Sequence, residues 1–289
     1  MTWGGIEAGG TKFVCAVSKA PPRLDARIEI ATTTPEETLA KVIAFFREWR
    51  DLRSIGIGSF GPLGLDPDSP AYGLVTHTPK HGWQATPLVA PLEHALGVSV
   101  ALDTDVNAAL WGEYRHGALR DHRTALYLTV GTGIGGGALV EGRILHGASH
   151  PEMGHQRVPQ PKGDAFPGIC PFHGACWEGL ASGPAIHRRW AAPPESLADD
   201  HPAWPIEAEL LALGIANLVL TIAPTRIVLG GGVGTRSGLR ERVSRQLTTV
   251  LAGYVRDPAP DTLLVAPELG GDSGVVGALE LGRTELGRA

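Results

Sequence analysis

The chain opens with the segment Trp3-Gly4-Gly5-Ile6-Glu7-Ala8-Gly9-Gly10-Thr11-Lys12-Phe13. Its apolar residues predict a strand over 3–7 and a returning strand over 13–17, joined by a tight turn at Gly9-Gly10, with a third strand over 26–31. The same succession of strand, glycine loop and returning strand recurs over 125–140. This repetition predicts an internal duplication, and therefore an α/β protein of two lobes.

Helix signals follow the first hairpin. Thr34 as N-cap, Pro35 at the first helical position and Glu37 closing a capping box predict a helix that ends near Arg50. Periodicity predicts further strands over 54–58, 98–102, 125–130, 138–140, 226–229 and 263–266, and further helices over 105–116, 206–223, 239–251 and 274–286. The segment 149–205 is predicted to be irregular, so it needs a staple or a function.

The composition excludes several classes of partner. The chain has 289 residues, of which 43% are hydrophobic, and a net charge of -5 with scattered basic residues. Binding to nucleic acid requires clustered Lys and Arg, so no nucleic-acid partner is expected. No apolar run is expected to reach membrane-spanning length, and the N-terminus lacks the pattern of a secretory signal. We therefore expect a cytoplasmic protein without a membrane partner.

The most specific chemical signal is a set of cysteines and histidines. Cys170-Pro171-Phe172-His173-Gly174-Ala175-Cys176 supplies three metal ligands, and His155 supplies a fourth. Four such ligands complete a tetrahedral zinc site and leave no open position for water, so a structural Zn²⁺ is predicted. Cys15, in contrast, lies in a predicted strand and is expected to be a packed core thiol.

This metal would order the irregular segment and fix two acidic residues beside it. The carboxylates of Glu152 and Glu178 can accept hydrogen bonds from sugar hydroxyls. His155 can serve both roles, with one ring nitrogen on the metal and the other facing the sugar. The segment is therefore a candidate sugar-binding region.

Three glycine-rich turns are candidates for nucleotide binding, because glycine allows backbone N–H groups to approach phosphate oxygens. Their candidate residues are Gly9, Gly10, Thr11 and Lys12; Gly131, Thr132, Gly133 and Gly135 in the predicted loop 131–137; and Gly230, Gly231 and Gly232. An ordinary structural turn is the alternative at each. The Walker A spacing is absent, and a strand instead of a helix is expected after the second loop, which argues against an NAD site.

A polar run, Asp103-Thr104-Asp105-Val106-Asn107, lies where a predicted strand passes into a predicted helix. Helix capping alone is one interpretation. The functional interpretation makes Asp105 a general base, which takes the proton of a sugar hydroxyl as it attacks the γ-phosphorus of ATP, and Asn107 a ligand of the sugar. Phosphoryl transfer depends on positioning and charge neutralisation, so one carboxylate, one Mg²⁺ and two phosphate loops suffice.

Together these motifs resemble the ROK family of sugar kinases and repressors, and in detail its bacterial fructokinase branch. The resemblance extends over nearly the whole chain and rests on Gly4-Gly5-Ile6-Glu7-Ala8-Gly9-Gly10-Thr11-Lys12-Phe13, Gly58-Ser59-Phe60-Gly61-Pro62, Thr78-Pro79-Lys80, Thr104-Asp105-Val106-Asn107-Ala108-Ala109, Gly131-Thr132-Gly133-Ile134-Gly135, His150-Pro151-Glu152-Met153-Gly154-His155, Glu178-Gly179-Leu180-Ala181-Ser182-Gly183-Pro184-Ala185 and Gly230-Gly231-Gly232-Val233.

The resemblance implies an actin-like, hexokinase-like (ribonuclease H-like) duplicated fold, with ATP and sugar in the cleft between two lobes. A small lobe over 1–118, completed by a helix over 274–289, and a large lobe over 119–273 with a zinc-binding subregion at 149–178 are expected. Asp105 would be the base, and the three glycine-rich turns would contact ATP. The implied substrate-binding residues are Gly61, Pro62, Asn107, Glu152, His155 and Glu178. A homodimer is also implied.

One difference from the usual motif of the family favours a particular sugar as substrate. Many members carry a Cys-x-Cys-Gly-x-x-Gly-Cys zinc knuckle, whereas this chain has Cys-Pro-Phe-His-Gly-x-Cys, which resembles the fructokinase branch. The resemblance thus favours fructose over glucose or N-acetylated hexosamines. The alternatives are a kinase for mannose or glucose, a sugar-sensing repressor, which is expected to carry a helix-turn-helix before the first loop, and a non-catalytic sugar-binding protein stabilised by zinc.

Overall fold

The computed structural model describes residues 1–78, 80–255 and 257–285, so Pro79 and the predicted helix end at Leu286 lie outside the described residues. The strands are β1 (Thr2–Ala8), β2 (Lys12–Ser18), β3 (Ala26–Ala31), β4 (Leu52–Ser59), β5 (Leu74–Val75), β6 (Thr86–Pro87), β7 (Ser99–Thr104), β8 (Ala125–Val130), β9 (Ile134–Val140), β10 (Arg143–Ile144), β11 (Arg226–Gly230) and β12 (Leu264–Val265). The helices are α1 (Pro35–Arg47), α2 (Val89–Leu96), α3 (Asp105–His116), α4 (Trp177–Ala181), α5 (Gly183–Trp190), α6 (Ala203–Ile222), α7 (Leu239–Leu251), α8 (Pro260–Leu263) and α9 (Ser273–Glu285).

The described residues form two compact units. Unit 1 comprises 1–120, 145–150 and 268–285, and unit 2 comprises 121–144 and 151–267. The lobe boundaries expected from the sequence stay a prediction.

Unit 1 contains a mixed five-stranded sheet in the order β3-β2-β1-β4-β7. The first three strands form the predicted antiparallel meander, while β4 and β7 run parallel to β1. Ala8 pairs with Ser59, and Ser59 pairs with Thr104, so the carboxyl ends of three parallel strands lie at one edge. This edge is where the Gly9-Gly10 turn, the Gly61-Pro62 turn and helix α3 begin, and ligand sites form at such edges.

Unit 2 contains a second mixed five-stranded sheet, in the order β10-β9-β8-β11-β12. Strands β8, β9 and β10 pair antiparallel, and β11 and β12 add in parallel. The order and directions repeat those of unit 1, which confirms the predicted duplication and α/β class. Thr129 pairs with Gly230, so the turns after β8 and β11 lie next to each other.

The predicted start of α1 is confirmed, with one change in its hydrogen bonds. The hydroxyl of Thr34 accepts from the backbone N–H of Glu37 at 3.3 Å. The Glu37 carboxylate accepts from the hydroxyl of Thr33 at 2.8 Å, a partner that the capping box did not predict. The helix ends at Arg47, three residues before the predicted end.

Two predicted irregular segments contain regular structure. The loop 131–137 shortens to Gly131–Gly133, because β9 begins at Ile134 and pairs with β8. A Cβ atom on Gly136 would lie 2.6 Å from Sδ of Met153, so this glycine provides room for a packed side chain. The segment 149–205 contains α4 and α5, and the side chains of Cys176 and Ser182 cap them. The prediction of irregular structure there was wrong for these two helices.

Helix α6 is long and apolar enough to cross a membrane by length and composition, which the sequence-based expectation had excluded. More than half of its apolar window is buried. Its buried residues include Leu210, Leu211 and Ile215, and it packs on α4 and α7. It is therefore a core helix of unit 2.

Helix α9 packs backbone to backbone against α3 and β4 in unit 1. A Cβ atom on Gly277 would overlap the carbonyl oxygen of Ala108, and one on Gly56 would overlap that of Ala278. The absence of both Cβ atoms therefore sets the distance between α9 and the elements beneath it. Because α3 begins at Asp105, this packing also fixes the position of the polar run 103–107 relative to α9.

The mutation Gly277→Ala is expected to lower the free energy of unfolding by about 2 kcal/mol, because overpacking at Ala108 outweighs the higher helix propensity of alanine. Gly271→Ala is the control, since a Cβ atom there would meet no atom within 4 Å. Urea unfolding of the two variants tests this. Equal stability of the two variants would contradict the close approach of α9 to α3.

Candidate active site and metal centre

Four side chains of unit 2 form one cluster. The ligand atoms of His155, Cys170, His173 and Cys176 all lie within 4.8 Å of one another. Sγ of Cys170 is 3.7 Å from Nδ1 of both His155 and His173, and Sγ of Cys176 is 3.5 Å from Nδ1 of His155. Tetrahedral zinc, with bonds of about 2.0 Å to nitrogen and about 2.3 Å to sulfur, separates its ligand atoms by about 3.5 Å. The cluster predicted from the sequence is present, and its spacing fits zinc.

The local chain conformation brings these ligands together. Cys170 and Gly174 exchange two backbone hydrogen bonds, of 3.2 and 2.8 Å, and Gly174 has a φ of 58° that glycine adopts readily. Cys176 is the N-cap of α4, and its sulfur accepts from the N–H of Gly179 at 3.4 Å. Burial raises the pKa of the Cys176 thiol, so a bound cation would be needed to hold the sulfur as a thiolate.

Two predicted sugar ligands are tied to this cluster. The carbonyl of Glu152 accepts from the N–H of His155 at 3.0 Å, and Glu178 lies in the first turn of α4, two residues after the metal-cluster residue Cys176. The Glu178 carboxylate also accepts from the N–H of Ile134 at 2.9 Å, a contact that the sequence did not predict. A Cβ atom on Gly133 would lie 2.6 Å from that carboxylate oxygen, which explains the glycine.

Two of the predicted nucleotide-binding turns lie against each other in unit 2. The carbonyl of Val130 accepts from the N–H groups of Val233 and Gly234, at 2.9 and 3.1 Å. Gly231 has a φ of 82°, and a Cβ atom there would overlap the backbone of Val130. The structure therefore brings Gly131–Gly133 and Gly230–Gly232 together, whereas Gly135 lies within β9.

The turn over 9–12 in unit 1 is closed by its own hydrogen bonds. The N–H of Gly9 donates to the carbonyl of Lys12 at 3.0 Å, and the hydroxyl of Thr32 donates to the carbonyl of Gly9 at 2.8 Å. Around Gly10 a Cβ atom would meet no atom within 4 Å, so its backbone is open to a ligand. The Lys12 ammonium pairs with Glu29 at 2.7 Å, but an exposed pair of this kind is weak enough to exchange for a phosphate.

The polar run at the start of α3 is held by short hydrogen bonds. Thr104 is the N-cap and accepts from the N–H of Asn107 at 3.1 Å, and Asp105, partly exposed, accepts from the N–H of Val106 at 2.8 Å. The buried Asp103 accepts from Nδ2 of Asn107 at 2.7 Å and lies 3.0 Å from Nε2 of His146. Sequence spacing gave no signal for this last pair, whose members are 43 residues apart.

Glu7 is a second acidic residue that the sequence-based site omitted. Burial in the first place, and then the charges of Asp105 and Asp272, raise the pKa of Glu7 to about 7 against the lowering effect of Lys12 and Arg27. The pattern Glu7-Ala8-Gly9-Gly10 was the available signal, because its acid immediately precedes a phosphate-loop candidate. Carboxylates that share a site in this way favour a bound cation such as Mg²⁺.

The turn with Gly61 and Pro62 is braced by a histidine. Nε2 of the buried His150 accepts from the N–H of Leu63 at 3.1 Å, so that nitrogen carries no proton. His150 belongs to the segment 145–150, which packs with unit 1. This histidine belongs to the sequence motif His150-Pro151-Glu152-Met153-Gly154-His155, but no role was predicted for it.

Comparisons with known proteins agree with this arrangement. A model of the ROK family matches residues 3–285. A fructokinase from Zymomonas mobilis is 42% identical over 96% of this chain and 95% of its own length. A fructokinase from Pediococcus pentosaceus is 39% identical over 100% of both chains. A ROK family glucokinase from Streptomyces griseus, solved in complex with glucose and AMPPNP, matches with a TM-score of 0.77 and 28% identity, over 98% of this chain and 100% of that one.

The family model covers almost all of the chain, and both fructokinases exceed 30% identity over nearly their full lengths. The two repeated sheets likewise agree with the fold of the solved glucokinase. The chain therefore belongs to the ROK family of sugar kinases and has its actin-like fold.

Proposed function

We propose that this chain is an ATP-dependent fructokinase, which converts D-fructose and ATP to fructose 6-phosphate and ADP. The observation that carries the proposal is the match, at about 40% identity along nearly the whole chain, to relatives that are fructokinases. Glucose is the second candidate, because the solved relative from Streptomyces griseus binds it. A non-catalytic sugar sensor is disfavoured by the presence of Asp105 and of every glycine-rich turn.

Asp105 is the proposed general base. It takes the proton of the sugar 6-hydroxyl while that oxygen forms a bond to the γ-phosphorus, and the bond from the γ-phosphorus to the bridging oxygen breaks to release ADP. Asp105 is the first residue of α3, and the close packing of α3 against α9 fixes the position of the helix that carries this carboxylate. The rigidity of this support matters because proton transfer requires hydrogen-bond distance.

The remaining roles follow the same division. We assign the hexose hydroxyls to Gly61, Pro62, Asn107, Glu152, His155 and Glu178. We assign ATP to Gly9, Gly10, Thr11, Lys12, Gly131, Thr132, Gly133, Gly135, Gly230, Gly231 and Gly232. Mg²⁺ would neutralise the phosphate charge that develops during transfer. Its positive charge would favour the ionised form of the Glu7 carboxyl. The homodimer stays a prediction from the resemblance, and the cytoplasmic location stays a prediction from the composition and the N-terminal sequence.

The zinc ion is proposed to be structural. The four side chains of the cluster fill a tetrahedral shell, so the metal would activate no water and would act by ordering its segment. Through the backbone of His155 and the N-cap of α4 it would fix Glu152 and Glu178. Its effect on the reaction would then be through hexose binding.

Asp105→Asn is expected to lower kcat with ATP and fructose by about a thousandfold or more, because an amide takes up no proton. Zinc content and thermal midpoint should stay at the wild-type values, since the side chains are isosteric. Asp68→Asn, at an exposed position of the same unit, is the control. A coupled assay for ADP release over a panel of hexoses measures this. Near-normal turnover by Asp105→Asn would remove the base assignment, and no turnover by the wild type would remove the kinase proposal.

Removal of zinc should impair hexose binding more than ATP binding. Metal analysis is expected to find one zinc per chain, which Cys176→Ser or a chelator should release. Zinc release should increase the rate of amide hydrogen exchange over 149–205. It should also raise KM for fructose, with a smaller change in KM for ATP. Cys15→Ala is the control, because Cys15 is buried in unit 1 and should leave the zinc content unchanged. An equal weakening of fructose binding and ATP binding would argue against a local structural role of the zinc.

The raised pKa of Glu7 predicts a pH-dependent stability. A carboxyl whose pKa rises from 4.5 when unfolded to about 7 when folded stabilises the fold fully below pH 4.5, and this contribution is lost as pH rises to about 7. Without nucleotide or divalent cation, Glu7→Gln should therefore be more stable than the wild type by about 3 kcal/mol at pH 8, and by less than about 1 kcal/mol at pH 5.

Denaturant unfolding at the two pH values measures the effect of Glu7→Gln. Glu36→Gln, which changes an exposed carboxylate of α1, is the control. A difference between Glu7→Gln and wild type that is the same at pH 5 and pH 8 would show that burial does not hold the proton on Glu7.

A further inference from the structure

The amide of Asn107 is held in one orientation in unit 1. Its side chain is 1% exposed, and its Nδ2 donates to Oδ1 of Asp103 at 2.7 Å. The amide oxygen is buried and has no hydrogen-bond partner within the described residues. A buried acceptor without a partner costs about 1–3 kcal/mol, so its retention needs a reason. A donor that arrives with a ligand supplies one.

Asp103 fixes this orientation because an ionised carboxylate offers only acceptors. It is 4% exposed and receives three groups: the N–H of Thr104 at 2.7 Å, the Asn107 amide, and Nε2 of His146 at 3.0 Å. Reversing the Asn107 amide would place two oxygens against each other. The amide oxygen therefore faces away from Asp103 and is fixed as an acceptor for a ligand.

His146 completes the arrangement from a distant part of the sequence. It lies in the segment 145–150, which packs with unit 1, and its imidazole is partly exposed. The hydrogen bond to Asp103 raises the pKa of His146, against the opposing effect of partial burial. Since a carboxylate accepts, Nε2 of His146 carries the proton, and the imidazole tethers the buried charge of Asp103.

Capping of α3 does not account for this arrangement. Thr104 already accepts from the N–H of Asn107 as the N-cap, so the helix start needs no second acceptor. A buried carboxylate is costly unless it is fully hydrogen-bonded, and apolar packing would serve stability as well. The buried charge is thus better explained by what it does to Asn107.

We infer that Asp103 and His146 are positioning residues of the hexose site, which orient the Asn107 amide so that its oxygen accepts a hydrogen bond from one sugar hydroxyl. The inference rests on the proposed function, because it takes Asn107 as a hexose ligand. It adds that the Asn107 oxygen is the group that accepts from the sugar, and that its direction is set through Asp103 by a histidine 39 residues after Asn107 in the chain.

The test compares steady-state kinetics of four variants with fructose and ATP varied separately. His146→Ala and Asp103→Leu, which leaves no acceptor for the Asn107 amide, should each raise KM for fructose about tenfold, while KM for ATP stays within about twofold, as loss of one oriented hydrogen bond requires. His146→Gln should recover most of the loss, because its amide can donate to Asp103.

The matched control is His116→Ala, which breaks another histidine–carboxylate pair of unit 1, between Nε2 of His116 and the buried Glu280 at 2.8 Å. It should change neither KM. Thermal midpoints identify variants that fail to fold, and His146→Ala, at a partly exposed position, keeps the test available if Asp103→Leu is unstable.

The outcomes separate the two proposals. If the wild type phosphorylates fructose or another hexose and His146→Ala and Asp103→Leu behave like His116→Ala, or raise both KM values equally, the positioning role is overturned while the kinase stands. If His146→Gln is as impaired as His146→Ala, the hydrogen bond is not the cause and the inference is also overturned. A wild type that phosphorylates no hexose overturns both proposals.

Discussion

The hydrogen bond from the N–H of Ile134 to the Glu178 carboxylate joins two candidate functional segments of unit 2. On one side lies the glycine turn over 131–133, and on the other lies α4, whose N-cap is the cluster residue Cys176. Because Gly133 leaves room for the carboxylate, the turn and the helix depend on each other's shape. Movement of the segment that holds the His/Cys cluster would therefore displace the proposed hexose ligand Glu178 directly, and the proposed nucleotide-binding turn only through this one hydrogen bond.

In unit 1, buried carboxylates likewise join separate segments of the chain through hydrogen bonds. Asp103 collects three donors at the start of α3, and Glu113, near its end, accepts from the N–H groups of Ala118, Glu268 and Leu269 and from the hydroxyl of Ser273. A charged acceptor can order several backbone segments at once, provided that every lone pair is used. Helix α3 is thus fixed at both ends by side chains and along its length by α9.

Much of the fold could be predicted, because local signals and tertiary structure agree there. The strand over 125–130 and the helices over 105–116 and 239–251 have the bounds that periodicity and caps indicated. Glycine content misled over 134–137, since glycines in β9 are set by what packs on the strand and not by a turn. Helices α4 and α5 are too short for periodicity to reveal, and a cysteine cap is not a usual helix-start signal.

The site was predictable to the extent that its residues lie close together in sequence. The His/Cys cluster has diagnostic spacing, and the glycine turns follow strands, so both could be found without coordinates. Glu7, Asp103 and His146 were missed for a physical reason: their properties arise from burial and from partners far along the chain. A carboxylate has no sequence mark that distinguishes a solvated charge from one held in the interior by an imidazole 43 residues away.

The two substrates would be recognised in different ways, and this difference bears on how the family changes its sugar. The proposed ATP contacts are mostly backbone groups of glycine turns, whose positions follow from sheet geometry that the glucokinase of Streptomyces griseus shares. Most of the proposed hexose ligands are side chains, and three of them depend on a further support: the His/Cys cluster for Glu152 and Glu178, and Asp103 for Asn107. A substitution in such a support can redirect a hydrogen bond by reorienting an amide or carboxylate while the sheet stays unchanged. We therefore expect hexose preference to vary through these supports, at little cost to the binding of ATP.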